Sequence, residues 1–109
     1  MDVPEVDPEQ AVQLRDRGAV WIDVRERFEW DEARIPDTTH VPMQQSPAYV
    51  AANHPELDST IVVSCLSGAR SGQVVAYLRQ QGYTDVHNLR GGLQLWAMQG
   101  REVERGPER

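Results

Sequence analysis

Apolar residues along the chain fall into short continuous runs separated by stripes at helical spacing. Val20-Trp21-Ile22-Asp23-Val24, Ile61-Val62-Val63-Ser64 and Val86 to Leu89 are the runs. The second is β-branched and lacks alternation, the pattern of a strand buried on both faces. Thr39-His40-Val41 predicts a brief strand before Pro42. Helical signals lie between the runs. Asp7-Pro8-Glu9-Gln10 reads as a helix start, with Asp as N-cap, Pro in the first turn and Gln three residues after the cap. That helix passes through Ala11 and Leu14 and stops at Gly18. Arg25 to Ala33 predicts a helix, broken by Pro36. Ser46-Pro47 begins another, ending near Asn53. Ser71 to Gln81 is amphipathic, with Val74, Val75 and Leu78 on one stripe and Gly82 as its stop. Gly91-Gly92 opens a last short helix carrying Leu93, Trp96 and Ala97, closed by Gly100. The stretch from Arg101 is polar and expected to fray. Strands alternating with helices predict an α/β fold, a parallel sheet covered on both sides.

At 109 residues the chain suits one compact domain over 1–109, large enough to be stable without a disulfide or structural metal. No apolar run approaches the ~18 residues of a membrane span. Met1 to Glu5 is acidic and interrupted by Pro4, unlike a signal peptide. Cys65 is the only cysteine, and a lone thiol suits a reducing compartment. The expectation is a cytoplasmic protein without a membrane partner.

Charge alters the picture locally. Of a net −6, all is contributed by residues 1–32, which hold ten carboxylates and four arginines, while the remaining 77 residues carry seven of each sign. Between 60 and 90 the one acid, Asp85, stands against Arg70, Arg79 and Arg90. Without a basic stripe the chain is a poor nucleic-acid binder, since phosphate contacts dominate that affinity. A small anion would nonetheless meet a locally positive surface there. There is no lysine, a habit of composition rather than a mark of function.

The segment Ser64-Cys65-Leu66-Ser67-Gly68-Ala69-Arg70-Ser71-Gly72 joins the buried run to the amphipathic helix. In parallel α/β sheets, ligands bind where strand ends meet helix N-termini. A loop of small residues lets backbone amides turn inward at the positive end of a helix, and a thiol there is favoured as thiolate. Gly68 permits a backbone angle other residues resist, and Arg70 can add a fixed charge. Against this, a lone cysteine after a buried strand is often an inert core thiol. Spacing alone leaves the two readings balanced.

Cys65-Leu66-Ser67-Gly68-Ala69-Arg70-Ser71 resembles the active-site loop of single-domain rhodanese-family sulfurtransferases, typically Cys-x-x-Gly-x-Arg-Ser. Asp23-Val24-Arg25-Glu26 with Glu29-Trp30, Ile35-Pro36 with His40-Val41-Pro42, and Leu89-Arg90-Gly91-Gly92 with Trp96 resemble three further family segments, in order and at similar spacing. The family's Gly-His before Ile-Pro and Gly-Ala after it are here Ala33-Arg34 and Asp37-Thr38, in a connection away from the loop. The resemblance implies a three-layer α/β/α domain around a mostly parallel five-stranded sheet. It implies sulfane-sulfur transfer, with Cys65 as the nucleophile that becomes a persulfide. Leu66, Ser67, Gly68, Ala69, Arg70 and Ser71 would bind the donor, and Arg25 is a further candidate for contact with an anionic donor. The donor would be a small anion, thiosulfate or a persulfide; the acceptor, cyanide, a thiol or a protein cysteine. No metal or organic cofactor is implied.

Two other readings compete. Cysteine-dependent phosphatases enclose five residues between cysteine and arginine, whereas Cys65 and Arg70 enclose four, a ring better matched to one sulfur than to a phosphoryl group. A redox- or persulfide-sensing module would use the same exposed, low-pKa thiol. Elsewhere, Asp23 and Arg25 suggest a bracing ion pair. His40, His54 and His87 lack metal-ligand spacing. Trp21 and Trp96 suit the core, and Trp30 is expected to be partly exposed. Gly91-Gly92 is no phosphate fingerprint, because Gly-x-Gly-x-x-Gly is absent.

Overall fold

Why β4 (Ile61–Ser64) reads as an unbroken apolar run is plain from its surroundings: every residue in it is buried. Ile61 and Val63 face one core cluster with Ile22, Val74, Val75, Leu78 and Val86. Val62 faces a second, with Trp21, Leu89, Leu93 and Trp96. The computed structural model describes residues 3–107. Five strands, β1 (Glu5–Val6), β2 (Val20–Asp23), β3 (Thr39–His40), β4 and β5 (Val86–Leu89), form one sheet in the order β1-β5-β4-β2-β3. All four pairings are parallel, with Ile22 beside Val63 and Val63 beside Asn88. Helices α1 (Pro8–Asp16), α2 (Arg27–Glu32), α3 (Ser46–Asn53), α4 (Ala69–Gln80) and α5 (Gly92–Met98) complete the expected α/β arrangement.

The start of α1 forms as its sequence predicts. Asp7 Oδ1 accepts from the Gln10 N–H at 2.8 Å, and Gln10 Oε1 accepts from the Asp7 N–H at 2.9 Å, which together satisfy two amides at the helix end. Other expectations shift. β1 has no counterpart in the sequence reading, because a two-residue edge strand is too short to show a period. It exists through its pairing, with Asn88 N donating to Pro4 O and Arg90 N to Val6 O. α2 begins at Arg27 rather than Arg25, since the Arg25 side chain turns inward to Asp23 and leaves Glu26 as the cap. α4 begins at Ala69, two residues before Ser71, because Gly68 takes a left-handed φ of 104° and acts as N-cap.

Up to Pro107 the polar stretch after Arg101 is hydrogen-bonded to the domain. Arg34 and Glu104 exchange both backbone hydrogen bonds at 2.9 Å. Trp96 Nε1 donates to Glu102 O at 2.7 Å, and Arg34 Nη1 donates to Gly106 O at 2.6 Å. These bonds run mainly to backbone carbonyls, so no side-chain pattern announces them. The same neighbourhood buries Trp30, only 1% exposed against the expected partial exposure, with His40 stacked at 5.1 Å and the Arg34 guanidinium 5.0 Å from its ring.

Trp21 on β2 donates its indole N–H to Ser64 Oγ on β4 at 3.0 Å, with both residues buried. Ser64→Ala leaves that donor without a partner and should cost about 1–3 kcal/mol. Urea unfolding checks this: the midpoint falls with the slope unchanged, and an unmoved midpoint contradicts it.

Candidate active site

Cys65 follows β4 directly and is 2% exposed, on the face shared by Ile61 and Val63. The chain then turns through Gly68 so that donors converge on the sulfur. Gly68 N–H lies 3.1 Å from Cys65 Sγ and the Ser71 hydroxyl 3.2 Å. Burial pushes the thiol pKa up. The Ser71 hydroxyl and the Ser71, Gly68 and Ser67 amides more than offset this, and the net effect is a pKa below the ordinary thiol value. The balance favours thiolate at the N-terminus of a twelve-residue helix.

Ser71 Oγ also stands 2.5 Å from Asn88 Oδ1. A hydroxyl has one proton. With Cys65 protonated, the hydroxyl donates to Asn88 and the thiol can donate to the hydroxyl; with Cys65 ionised, the hydroxyl turns to sulfur. Asn88 Nδ2 in turn donates to Gly68 O at 3.0 Å and Glu5 Oε2 at 3.4 Å, tying β5 and β1 to the loop. Neither Asn88 nor Glu5 carries a signal that a sequence reading could use.

The other side of the loop is held by α5. Leu93 N donates to Cys65 O and Gln94 N to Leu66 O, both at 3.0 Å. With their carbonyls turned to α5, these peptide units are fixed in orientation. Gly92, at φ 54°, makes this approach feasible, because a Cβ there would collide with the Cys65 and Leu66 carbonyls. Gly92 is therefore a packing device under the loop.

Both arginines near the loop are engaged by carboxylates. Arg25 is 2% exposed and pairs with Asp23, Nη2 to Oδ2 at 2.9 Å, and Nη2 also donates to Ala33 O at 2.6 Å. It is a brace, as the Asp23–Arg25 reading anticipates. Arg70 forms a two-pronged ion pair with Glu29, Nη1–Oε1 at 2.7 Å and Nη2–Oε2 at 2.9 Å. That pair holds the Glu29 carboxyl down at about 2, against a cost of burial. Sequence reading missed Glu29 as a site residue; only its place four residues beyond Arg25 in the family-like segment marks it. Leu66, Ser67 and Ala69 are exposed, while Ser71 is buried. A groove beside the loop is lined by Arg25, Phe28, Glu29, Glu32, Leu66 and Leu93, with Phe28 70% exposed.

The histidines stay apart. His40 Nε2 bonds the Arg25 carbonyl at 2.7 Å, and His87 Nε2 bonds Asp85 Oδ1 at 2.6 Å. Among the described residues no cluster of three or more His, Cys, Asp or Glu could hold a metal ion. No helix among them is long and apolar enough to cross a membrane.

A parallel five-stranded sheet with a cysteine loop between β4 and α4 defines a class of proteins, and residues 7–99 match the description "Rhodanese-like domain". The chain belongs to the rhodanese-like family. It is 38% identical over 91 residues to the thiosulfate sulfurtransferase GlpE of Pseudomonas savastanoi pv. phaseolicola, covering 84% of each chain. It is 35% identical over 95 residues to the GlpE of Stutzerimonas stutzeri, covering 87% of this chain and 85% of that one. Among solved structures, thiosulfate sulfurtransferase from Pseudomonas aeruginosa superposes with a TM-score of 0.86 at 28% identity, over 98% of this chain and 21% of that chain. The solution structure of a rhodanese-like domain from Anabaena sp. gives 0.80 at 24% identity, over 96% and 80%.

Alkylation of Cys65 by iodoacetamide should follow a titration midpoint below the ~8.5 of a free thiol. The Ser71→Ala variant, lacking the hydroxyl donor, should move that midpoint upward. Linkage follows the same sign: ionisation stabilises the fold above the unfolded thiol's pKa, and the increment is lost as pH falls through the folded value. Identical midpoints in the two proteins would show that Ser71 does not serve the sulfur.

Proposed function

We propose that this protein is a sulfurtransferase that moves sulfane sulfur from thiosulfate or a persulfide to a thiophilic acceptor through a persulfide on Cys65. The observation that carries the reading is the donor set on Cys65 Sγ: the Gly68 amide and the Ser71 hydroxyl at 3.1 and 3.2 Å. Thiolate Cys65 attacks the outer sulfur of thiosulfate. The new S–S bond forms as the donor's S–S bond breaks, and sulfite leaves with the electron pair. Cyanide, a small thiol or a protein cysteine then attacks the outer sulfur and restores the thiolate. Both steps are displacements at sulfur and balance without an electron carrier, so the reaction calls for no metal or organic cofactor.

Charge stays on the terminal sulfur of the intermediate, and the amides from Leu66 to Ser71, with the head of α4 behind them, would stabilise it. A lone thiol that must be regenerated in each turnover suits the reducing cytoplasm, where we place the protein. The four residues between Cys65 and Arg70, and the Glu29 carboxylate across the Arg70 guanidinium, speak against a phosphatase, which uses that arginine to clasp phosphoryl oxygens.

Thiocyanate formation from thiosulfate and cyanide tests the proposal. The expected result is a family of parallel double-reciprocal lines, the mark of a covalent intermediate, and a loss of at least about 10³-fold in Cys65→Ser. A folded serine variant that keeps more than about a tenth of the rate contradicts it.

A further inference from the structure

Arg70 would be the natural anion-binding charge beside the thiol, yet its guanidinium is held by Glu29. Both prongs of the fork are made, at 2.7 and 2.9 Å, with Arg70 35% and Glu29 16% exposed at the side chain. Bidentate geometry of this kind is strong and directional. Glu29 is also anchored from behind, because its Oε1 accepts from the Glu26 N–H at 3.0 Å in the first turn of α2. The carboxylate is thus fixed at two points, on α2 and across to the Cys65 loop. Arg25, on the same groove, is likewise neutralised by Asp23. The groove beside the loop presents the exposed apolar side chains of Phe28 and Leu66, the Glu29 carboxylate already engaged by Arg70, and the carboxylate of Glu32.

We infer that Glu29 is a specificity-determining residue: by holding Arg70 in a bidentate pair beside Cys65, it favours singly charged sulfur donors bearing an apolar organic group over compact dianions such as thiosulfate. The inference rests on the sulfurtransferase reading and deepens it. Alkyl thiosulfonates and organic persulfides are the donor class. For a thiosulfonate, Cys65 thiolate attacks the outer sulfur, the donor's S–S bond breaks, and the sulfinate leaves with the electron pair. Arg70 adjoins Ser71, whose hydroxyl lies 3.2 Å from Cys65 Sγ, so the paired guanidinium is carried by the residue next to one of the sulfur's donors.

Methanethiosulfonate is the appropriate probe, since it replaces one thiosulfate oxygen with a methyl group and removes one charge. The wild-type protein should use it with a higher kcat/KM than thiosulfate. Glu29→Gln frees the Arg70 charge, and the thiosulfate-to-methanethiosulfonate ratio of kcat/KM should rise about three- to tenfold, mainly through KM, as Coulomb's law gives for one unit charge at a partly exposed site. Arg70→Ala, which leaves the Glu29 carboxylate unbalanced, should move the ratio the other way. The rate ratio of iodoacetate to iodoacetamide at Cys65 also compares reagents one charge apart, needs no turnover and cancels the thiolate fraction. It should shift in the same directions as the donor ratio. Ratios unchanged in both variants overturn the inference. If the wild type transfers sulfur from neither donor, the sulfurtransferase reading falls, and the alkylation ratio alone still decides whether Glu29 governs the charge at the thiol.

Discussion

A sulfur atom with almost no exposure can hold a negative charge only if hydrogen-bond donors take the place of water. The loop between β4 and α4 is folded so that they do. Gly68 N–H and the Ser71 hydroxyl reach Cys65 Sγ, while the Cys65 and Leu66 carbonyls turn to the amides of α5. The separation of donors from acceptors is what lets burial, which alone would raise the thiol pKa, coexist with a net lowering. Each support for that separation comes from a different element. Asn88 on β5 binds the Gly68 carbonyl, and Gly92 lets α5 close on the loop. The parallel register of β5 against β4, with Asn88 beside Val63, places all of these at one end of the sheet.

Charge around the loop is arranged in pairs rather than as an open cation. Asp23 with Arg25 is buried and ties the end of β2 to the carbonyls at the end of α2. A pair of this kind is costly to break rather than strongly stabilising in itself, so its value lies in fixing geometry. Glu29 with Arg70 joins α2 to the Cys65 loop across 41 residues of sequence. The locally positive surface suggested by composition between 60 and 90 is therefore largely cancelled at the loop by a carboxylate from the acidic first third. Counting charges within one window of sequence could not reveal this, because the neutralising partner lies on another element.

What was legible in the sequence was local. The capping box at Asp7, the doubly buried run Ile61–Ser64, the stripe Val74, Val75 and Leu78, and Gly91-Gly92 at a helix start each carry their own signal within a few residues. The loop was legible too, as a small-residue turn with the lone cysteine at its head and by its likeness to a family pattern. What escaped depends on partners distant in sequence. β1 needs β5 to exist, the tail from Arg101 is held by backbone groups of Arg34 and Asp31, and Trp30 is buried by His40 and Arg34 rather than by its own helix face. Asn88 sits inside a strand of otherwise ordinary composition, and only its contacts with Ser71 and the Gly68 carbonyl give it meaning.

The proposed chemistry requires Cys65 to carry the sulfur between donor and acceptor. Intact mass of the purified protein, recorded before thiosulfate, after it, and again after cyanide, with Cys65→Ser alongside, tests this most directly. The expected result is a gain of one sulfur atom that cyanide removes and that the serine variant never shows. A protein that forms thiocyanate steadily while its mass stays unchanged throughout, or a serine variant that gains the same sulfur, would contradict it.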